Sequence, residues 1–351
     1  MANTHTPSTH TPEQIRALRA ENPKARARDF AALQGITEAE LVAAYVGHTA
    51  TAINAAPDAL FPLLGNLGDV LALTRNESCV HERRGIYKDY HSGAHASMVL
   101  GSEIDMRMFP SHWKFGFALV DAGEDGPKRS IQVFDAAGDA VHKVHLNAAS
   151  DAVAFDALVA ALRLPEQSGS LTLTARAPVE GPKGDAARLE ELRTEWKAMT
   201  DTHQFLRLTH RLKFNRLGAN RMVGAPFAAP IARDAITQVL HAAADQKIPL
   251  MIFVGNAGCI QIHGGMVEKI VPMGPWINVM DPRFNLHLRA DHIAECWRVI
   301  KPTQRGDAIS IEAFDAEGGL ILQIFGYRKD APPVAWDAFV TALPALEAEL
   351  A

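Results

Sequence analysis

Cysteine is scarce in this 351-residue chain: Cys79, Cys259 and Cys296 are the only three, and none stands in a C-x-x-C or C-x-x-C-H pattern. A disulfide framework, a thiolate zinc site and a thioether-linked cofactor therefore lack their residues. Basic excess is lacking as well. Lys and Arg total 35 against 40 Asp and Glu, giving a formal net charge of -5 and a pI near 6.3, which argues against an electrostatic grip on nucleic acid or on an anionic membrane. No stretch approaches the roughly 18 uninterrupted apolar residues of a membrane span. The opening MANTHTPSTHTPEQ has neither a basic nor an apolar leader region, so the expected location is the cytoplasm. Common catalytic signatures are missing too: there is no G-x-x-x-x-G-K-S/T phosphate loop and no G-x-S-x-G elbow. No His-x-x-x-His pair combines with a carboxylate or thiolate at zinc spacing.

What the chain does have is length, apolar content and a repeat. At 48% hydrophobic, 351 residues suffice for two sizeable cores. RNESCVHERRG at 75–85 lies against GNAGCIQIHGG at 255–265, IDMRMFPSHW at 104–113 against FNLHLRADHI at 284–293, and SIQVFDAAGDAV at 130–141 against SIEAFDAEGGLI at 310–321. Cys79 and Cys259, His112 and His292, and Phe134 and Phe314 are each 180 residues apart, a constant register that chance matches do not reproduce. The period is too long for a solenoid, so two similar domains are expected, over 14–178 and 185–345, with the boundary in the Pro/Gly-bearing RAPVEGPKGDAARL at 176–189.

Each copy reads from helix to sheet. Residues 11–46 carry helical apolar spacing, and Thr11 followed by Glu13 and Gln14 forms a helix start. Short alternating runs follow, with DAAGD at 135–139 and DAEGG at 315–319 as hairpin turns, and a closing helix is expected in VAWDAFVTALPALEAEL. Several antiparallel strands per copy with flanking helices make the fold class α+β rather than a parallel doubly wound sheet.

The fifteen histidines are the remaining anomaly. His203 and His210 stand seven apart in MTDTHQFLRLTHRLKF, on one face of a predicted helix that Thr200 or Asp201 can cap. Arg207 and Arg211 read as a solvated face of that helix, and His5 and His10 fall in a polar tail.

The segments RNESCVHERRGIY, IDMRMFPSHW, WKAMTDTHQF, NLHLRADHIAECWRVIKPT and FDAEGGLILQIFGYRK closely resemble the bacterial haem-utilisation proteins called hemin-degrading factors, of the HemS and ChuS type. The resemblance spans about residues 14–345 and includes the duplication. It implies two homologous halves, each a large antiparallel sheet flanked by helices, with haem in a cleft between them.

Carried over motif by motif, the resemblance gives a set of site residues. His203, in MTDTHQF, matches the axial iron ligand, a role that suits a neutral imidazole nitrogen. His210 is the fallback ligand, and His81 in CVHERRG is a candidate for a second haem. Arg107, in IDMRMF, matches a distal arginine with a catalytic role, and Phe109 an aromatic lying against the porphyrin. Arg216, Lys301, Gln323 and Arg328 match positions serving the haem propionates, where guanidinium groups pair with carboxylate in a two-pronged way. At the 180-residue offset Arg107 corresponds to His287 and Lys301 to Asp121, so the two copies have diverged at these positions. Beside Gln323, Leu322 stands where some relatives carry a tyrosine.

Two functions follow from the resemblance. In one, the protein binds imported haem and opens the porphyrin ring with electrons from a reductase, releasing iron. In the other, it carries haem from an importer to a separate haem oxygenase and no residue is catalytic. A fold relative that binds another planar anionic ligand is a third reading.

Overall fold

Fold formation starts locally, and two of the helix starts in the first unit show reciprocal capping. In the computed structural model, which describes residues 10–328 and 332–346, the helix Pro12–Glu21 opens on Thr11, whose hydroxyl accepts from the Gln14 amide while Gln14 reaches back to the Thr11 amide. Thr37 and Glu40 do the same for the helix Glu38–Ala43. His5 lies outside the described residues.

The chain divides into two compact units. Unit 1 holds the residues through Arg75, then His81–Ala177 and Gly255–Gln261, and unit 2 holds Asn76–Val80, Pro178–Val254 and the residues from Ile262 onward. In unit 1 five strands run side by side, all antiparallel, in the order Ala50–Ile53, Phe115–Asp121, Lys128–Phe134, Ala140–Ser150, Gly68–Arg75. Unit 2 has the same run in Ala228–Ile231, Glu295–Lys301, Ala308–Phe314, Leu320–Gly326 and Leu250–Gly255. Each unit adds a three-stranded antiparallel ribbon, Tyr90–His91, Ser97–Leu100 and Asp105–Met108 in unit 1, and Ile270–Met273, Trp276–Met280 and Phe284–Arg289 in unit 2. The duplication read from sequence is thus a duplication of structure. Strands Cys79–Gly85, Phe115–Asp121 and Lys128–Phe134 recur 180 residues later with the same lengths, as Cys259–Gly265, Glu295–Lys301 and Ala308–Phe314. The fold is the expected α+β class.

Helices cover both faces of each run of strands. On one face of unit 1, Leu60, Phe61 and Leu64 of Pro57–Leu64 and Phe155 and Leu158 of Ala152–Leu162 pack with Val70, Ile131, Val133 and Val144. On the equivalent face of unit 2, Ile236, Val239 and Leu240 of Ala235–Gln246 and Trp336 and Val340 of Val334–Ala342 pack with Leu250, Ile252, Val254 and Ile324. On its other face unit 2 stacks three helices, Leu189–Lys197, Gln204–Leu212 and Arg216–Val223, through Trp196, Phe205, Leu208 and Leu217 onto Trp297, Val299 and Phe314. Because both faces are covered, Ala308–Phe314 is buried at nearly every position, and a polar side chain on it must find a partner inside the protein.

The hairpin turns repeat down to single hydrogen bonds. Asp135 Oδ1 accepts from the Ala137 and Asp139 amides at 2.9 and 3.0 Å, and Asp315 Oδ1 from the Glu317 and Gly319 amides at 3.0 and 2.8 Å. Gly138 and Gly318 take the positive φ, 84° and 94°, that these turns need. Asn76 and Asn256 form a second matched pair. Asn76 Oδ1 accepts from the Ser78 and Cys79 amides and its Nδ2 donates to the Ile321 carbonyl at 2.8 Å; Asn256 Oδ1 accepts from the Gly258 and Cys259 amides and its Nδ2 donates to the Val141 carbonyl at 2.9 Å. Each side chain ties a turn to the body of its own unit. Asn76→Ala and Asn256→Ala should therefore each lower stability by about 1–3 kcal/mol in urea unfolding, the cost of stranding part-buried backbone groups. Losses below about 0.5 kcal/mol for both, the usual range of neutral surface changes, would contradict this role.

Candidate functional site

The centre of the polar chemistry in unit 2 is a residue that the sequence did not single out. Glu312 lies on Ala308–Phe314 with none of its surface exposed. Its Oε1 accepts from Lys301 Nζ at 2.7 Å, Gln323 Nε2 at 2.7 Å and Arg216 Nη1 at 3.1 Å, and its Oε2 from Asn220 Nδ2 at 3.1 Å. Strand register supplies one of these partners, since Glu312 faces Gln323 across the ladder. The helix Arg216–Val223 supplies Arg216 and Asn220, four apart and hence on one face. That helix is fixed at its start by Asn215, whose Oδ1 accepts from the Gly218 amide at 2.9 Å and from the Lys183 amide at 3.0 Å. Gly218 is required there, because a Cβ would lie 1.9 Å from the Lys183 carbonyl oxygen.

The sequence-derived residues Arg216, Lys301 and Gln323 are therefore brought together, although not as free cations on an open rim. Lys301 is only 2% exposed and Arg216 is partly buried, and both stand over the Phe205 ring, at 4.6 and 5.1 Å from its centroid. Burial alone would raise the Glu312 pKa, but the Lys301 and Arg216 charges outweigh it and hold the carboxyl down to about 2. Burial pushes the Lys301 ammonium down, to about 8, against the pull of Glu312. Two cations on one carboxylate leave an excess of one positive charge in a site shielded from water, where an added anion is held more strongly than at the surface. Asp121, the counterpart of Lys301, is exposed, and Gln132 is the counterpart of Glu312, so among the described residues unit 1 has no such cluster. Lys143, the counterpart of Gln323, pairs there with Glu38.

His203 stands at the N-terminal cap of the helix Gln204–Leu212, two residues before Phe205. Thr200 and Gln204 fix the approach: the Thr200 amide donates to Gln204 Oε1 at 2.8 Å, and Gln204 Nε2 donates to the Thr200 hydroxyl at 3.1 Å. Asp201 Oδ1 accepts from the His203 amide at 2.7 Å and contacts its Nδ1 at 2.6 Å. The amide bond comes first among the causes that hold the Asp201 carboxyl below its usual range. A proton held at Nδ1 by this carboxylate makes Nε2 the nitrogen with the free lone pair, the arrangement found in metal-ligating histidines. The side chain is 89% exposed, and His210 and Leu206 on the same helix are exposed too. Arg211 pairs with Glu191 at 3.0 Å and with Glu195, which makes it part of a charged helix face rather than of the site. Arg328 donates to the Arg305 and Gly306 carbonyls at 2.9 and 3.2 Å and does not share the Glu312 carboxylate.

Arg107 and Phe109 belong to unit 1. Arg107, on Asp105–Met108, pairs with Asp105, donates to the Met106 carbonyl at 3.0 Å and keeps 29% of its side chain exposed. Phe109 is half-buried, and its amide donates to the Gly258 carbonyl at 2.8 Å. His81 is wholly buried, and Leu322 lies in the apolar core of unit 2 with no hydrogen-bonding group to offer. Among the described residues no group of three or more His, Cys, Asp or Glu is placed to hold a metal ion directly, and no helix is long and apolar enough to cross a membrane.

Comparison with known proteins places this geometry in a family. The model of the "Haemin-degrading HemS.ChuX domain" matches twice, over residues 35–162 and 213–343. The chain belongs to the HemS/ChuX haemin-degrading family. Hemin transport protein HmuS of Yersinia pestis is 40% identical over 324 residues, 92% of this chain and 93% of that protein. Holo-PhuS, a heme-binding protein from Pseudomonas aeruginosa, superposes with a TM-score of 0.91 at 42% identity, covering 96% of this chain and 100% of that one. ChuS, described as a heme degrading enzyme of Escherichia coli O157:H7, superposes with a TM-score of 0.86 at 35% identity, covering 93% and 97%.

The Glu312 cluster has a measurable acid signature. Its folded pKa, about 2, lies below the ordinary 4.5, so the stabilisation is fully present above pH 4.5 and is lost as pH falls toward 2. The complete loss corresponds to about 3 kcal/mol. Glu312→Gln should cost about 3–5 kcal/mol at pH 7, because Lys301 and Arg216 lose their counter-charge, and the gap between wild type and variant should narrow at pH 3. A gap of equal size at both pH values, read from denaturant midpoints, would contradict the assignment.

Proposed function

We propose that the protein binds imported haem through His203 and degrades it by reductant-dependent ring opening that releases iron. The observation that carries this reading is the exposed His203 imidazole, anchored at Nδ1 by Asp201 so that Nε2 is available as a ligand. The residues present suit the group: an iron porphyrin carries two carboxylates, and the Arg216–Lys301–Glu312 cluster has one positive charge in excess and stands over the ring of Phe205, two residues along the chain from His203. Bound haem itself supplies the redox chemistry. The chain's own residues orient it. Asp201 keeps the imidazole in one tautomer, Arg216 and Lys301 with Gln323 hold a propionate, and Arg328 serves the other. Arg107 and Phe109 are assigned by their match to the family motif, Arg107 as a catalytic donor and Phe109 as an apolar contact with the porphyrin. A cytoplasmic location and transient partners, an electron-donating reductase and a haem importer, belong to the same proposal.

A second reading, carriage of haem to a separate haem oxygenase, is favoured by the description of HmuS as a hemin transport protein. One set of measurements separates them. His203→Ala should lose or shift the Soret band and bind haem much more weakly, whereas an unchanged spectrum moves the ligand to His210. With catalase present, the wild type should still open the ring when given a physiological reductant, and Arg107→Ala should keep most haem affinity but turn over slowly. Abolition of wild-type degradation by catalase would establish the carrier reading instead.

A further inference from the structure

Unit 1 contains a layer of aromatic and polar residues that its fold does not need. Tyr87, wholly inside the protein, donates to His142 Nε2 at 2.6 Å, and His142 Nδ1 lies 2.9 Å from the Thr74 hydroxyl. Thr74 Oγ1 is 3.4 Å from Cys259 Sγ, which donates to the Val141 carbonyl at 3.2 Å. With the Cys259 proton on that carbonyl, the donors order themselves from Tyr87 through His142 and Thr74 to Cys259, and His142 is neutral with its Nε2 lone pair on the tyrosine. Around this chain stand three more rings. Phe61 touches Tyr87, Tyr90 and Trp113, with centroids 5.5, 5.4 and 5.5 Å away, and Trp113 lies 6.2 Å from His142. Tyr90 reaches the surface, where its hydroxyl donates to the exposed Asp58 at 2.5 Å.

At the offset of 178 residues that relates Ala50–Ile53 to Ala228–Ile231, Val239 corresponds to Phe61, and at the 180-residue offset Val267 corresponds to Tyr87, Ile270 to Tyr90, Ile293 to Trp113 and Leu322 to His142. All five pack in or against the apolar core of that unit. The same layer of the same fold is thus built from aliphatic side chains alone, and neither the rings nor the buried hydrogen bonds of unit 1 are a structural requirement. Both tyrosines of the layer also share a feature that packing does not demand: each phenol hydrogen is already on a proton acceptor, His142 inside and Asp58 outside.

We propose that Trp113, Tyr87 and Tyr90 form an electron relay that carries electrons from surface reductants to an oxidised centre beside the 109–113 turn. An oxidant takes one electron from Trp113. Tyr87 refills it, and because a tyrosine that has lost an electron is a strong acid, its proton passes along the hydrogen bond to His142 Nε2. Tyr90 then gives an electron to Tyr87, which recovers its proton from His142, while the Tyr90 proton passes to Asp58. A thiol or ascorbate at the surface returns an electron to Tyr90, and Asp58 returns the proton. One electron crosses and the protein ends unchanged. Burial keeps His142 neutral, with a pKa of about 3, and so able to accept. The oxidant in question is the product of hydrogen peroxide with bound haem, and this assignment rests on the haem reading above, through Phe109 at the start of the same turn. The relay itself does not.

The path is testable without haem. Ser111 is exposed and lies two residues from Trp113, whereas all three native cysteines are buried, so Ser111→Cys accepts a ruthenium polypyridyl photosensitiser. After a flash with a cobalt(III) ammine as sacrificial acceptor, the haem-free protein should refill the oxidised label and yield a tyrosyl radical by transient absorption and electron paramagnetic resonance. Tyr90→Phe, at the periphery, should confine the radical to Tyr87 and lengthen its life several-fold. Tyr87→Phe should leave the hole on tryptophan, and Trp113→Phe should slow recovery of the label several-fold, with thermal melts checking that each variant folds. Equal tyrosyl yields in the wild type and the Tyr87→Phe/Tyr90→Phe double variant would overturn the relay. In the haem-loaded protein treated with peroxide, the same substitutions should raise irreversible haem loss several-fold; a working path with no such change would overturn haem as the oxidised centre while leaving the relay intact.

Discussion

A carboxylate with no access to water cannot be left unpaired, and the second unit is organised around that constraint. Glu312 sits in the middle of a run of strands covered on both faces, where an unpartnered charge would cost several kcal/mol. Its partners come from three directions: the neighbouring strands give Lys301 and Gln323, and the helix Arg216–Val223 gives Arg216 and Asn220. Strand register, the position of that helix and the glycine that lets residue 183 lie against it must all be correct together. The Phe205 ring beneath the two cations extends the constraint to the helix that begins at His203.

The sequence was legible where local rules dominate. The helix start at Thr11 and the Asp turns at 135 and 315 follow from residues close in the chain, the 180-residue repeat from a constant register of matches, and all are in the structure. The site was legible only in part. Arg216, Lys301 and Gln323 were named from family motifs and do converge, but their common partner was not found, because Glu312 is 11 residues from Lys301 and 96 from Arg216 in the chain. One signal was available: an acid between isoleucine and alanine in AISIEAF, where the matching strand of the first copy has glutamine. Burial of Lys301 was likewise unreadable, since a lysine ending a strand next to a proline and a turn resembles a solvated one. The capping expectation at this helix was off by two residues: His203 itself holds the N-cap position without a side-chain bond to the first turn, and Asp201 bonds to His203 instead.

Duplication gives each unit an internal control. The units share strand order, turns and the Asn76 and Asn256 ties, so what differs between them is what the fold leaves free. Where unit 1 has Gln132, unit 2 has the buried acid Glu312 with two bases, and the helix Gln204–Leu212 carries His203 at its start and His210 along it. In unit 1 Lys143, the counterpart of Gln323, pairs with Glu38, and the other face carries an aromatic layer where unit 2 is aliphatic. The two units thus differ residue by residue in their polar pairs and in one layer of the core, on a shared strand order.

The central claim is that His203 is the iron ligand and that the Glu312 cluster is a preassembled anchor for one propionate. A crystal structure of the haem complex tests both at once. The account predicts iron bonded to His203 Nε2 with Nδ1 still on Asp201, and one propionate on Arg216 and Lys301 while Lys301 remains on Glu312. Iron bonded to His210 or to no histidine, or haem with both propionates away from Arg216 and Lys301, would contradict it.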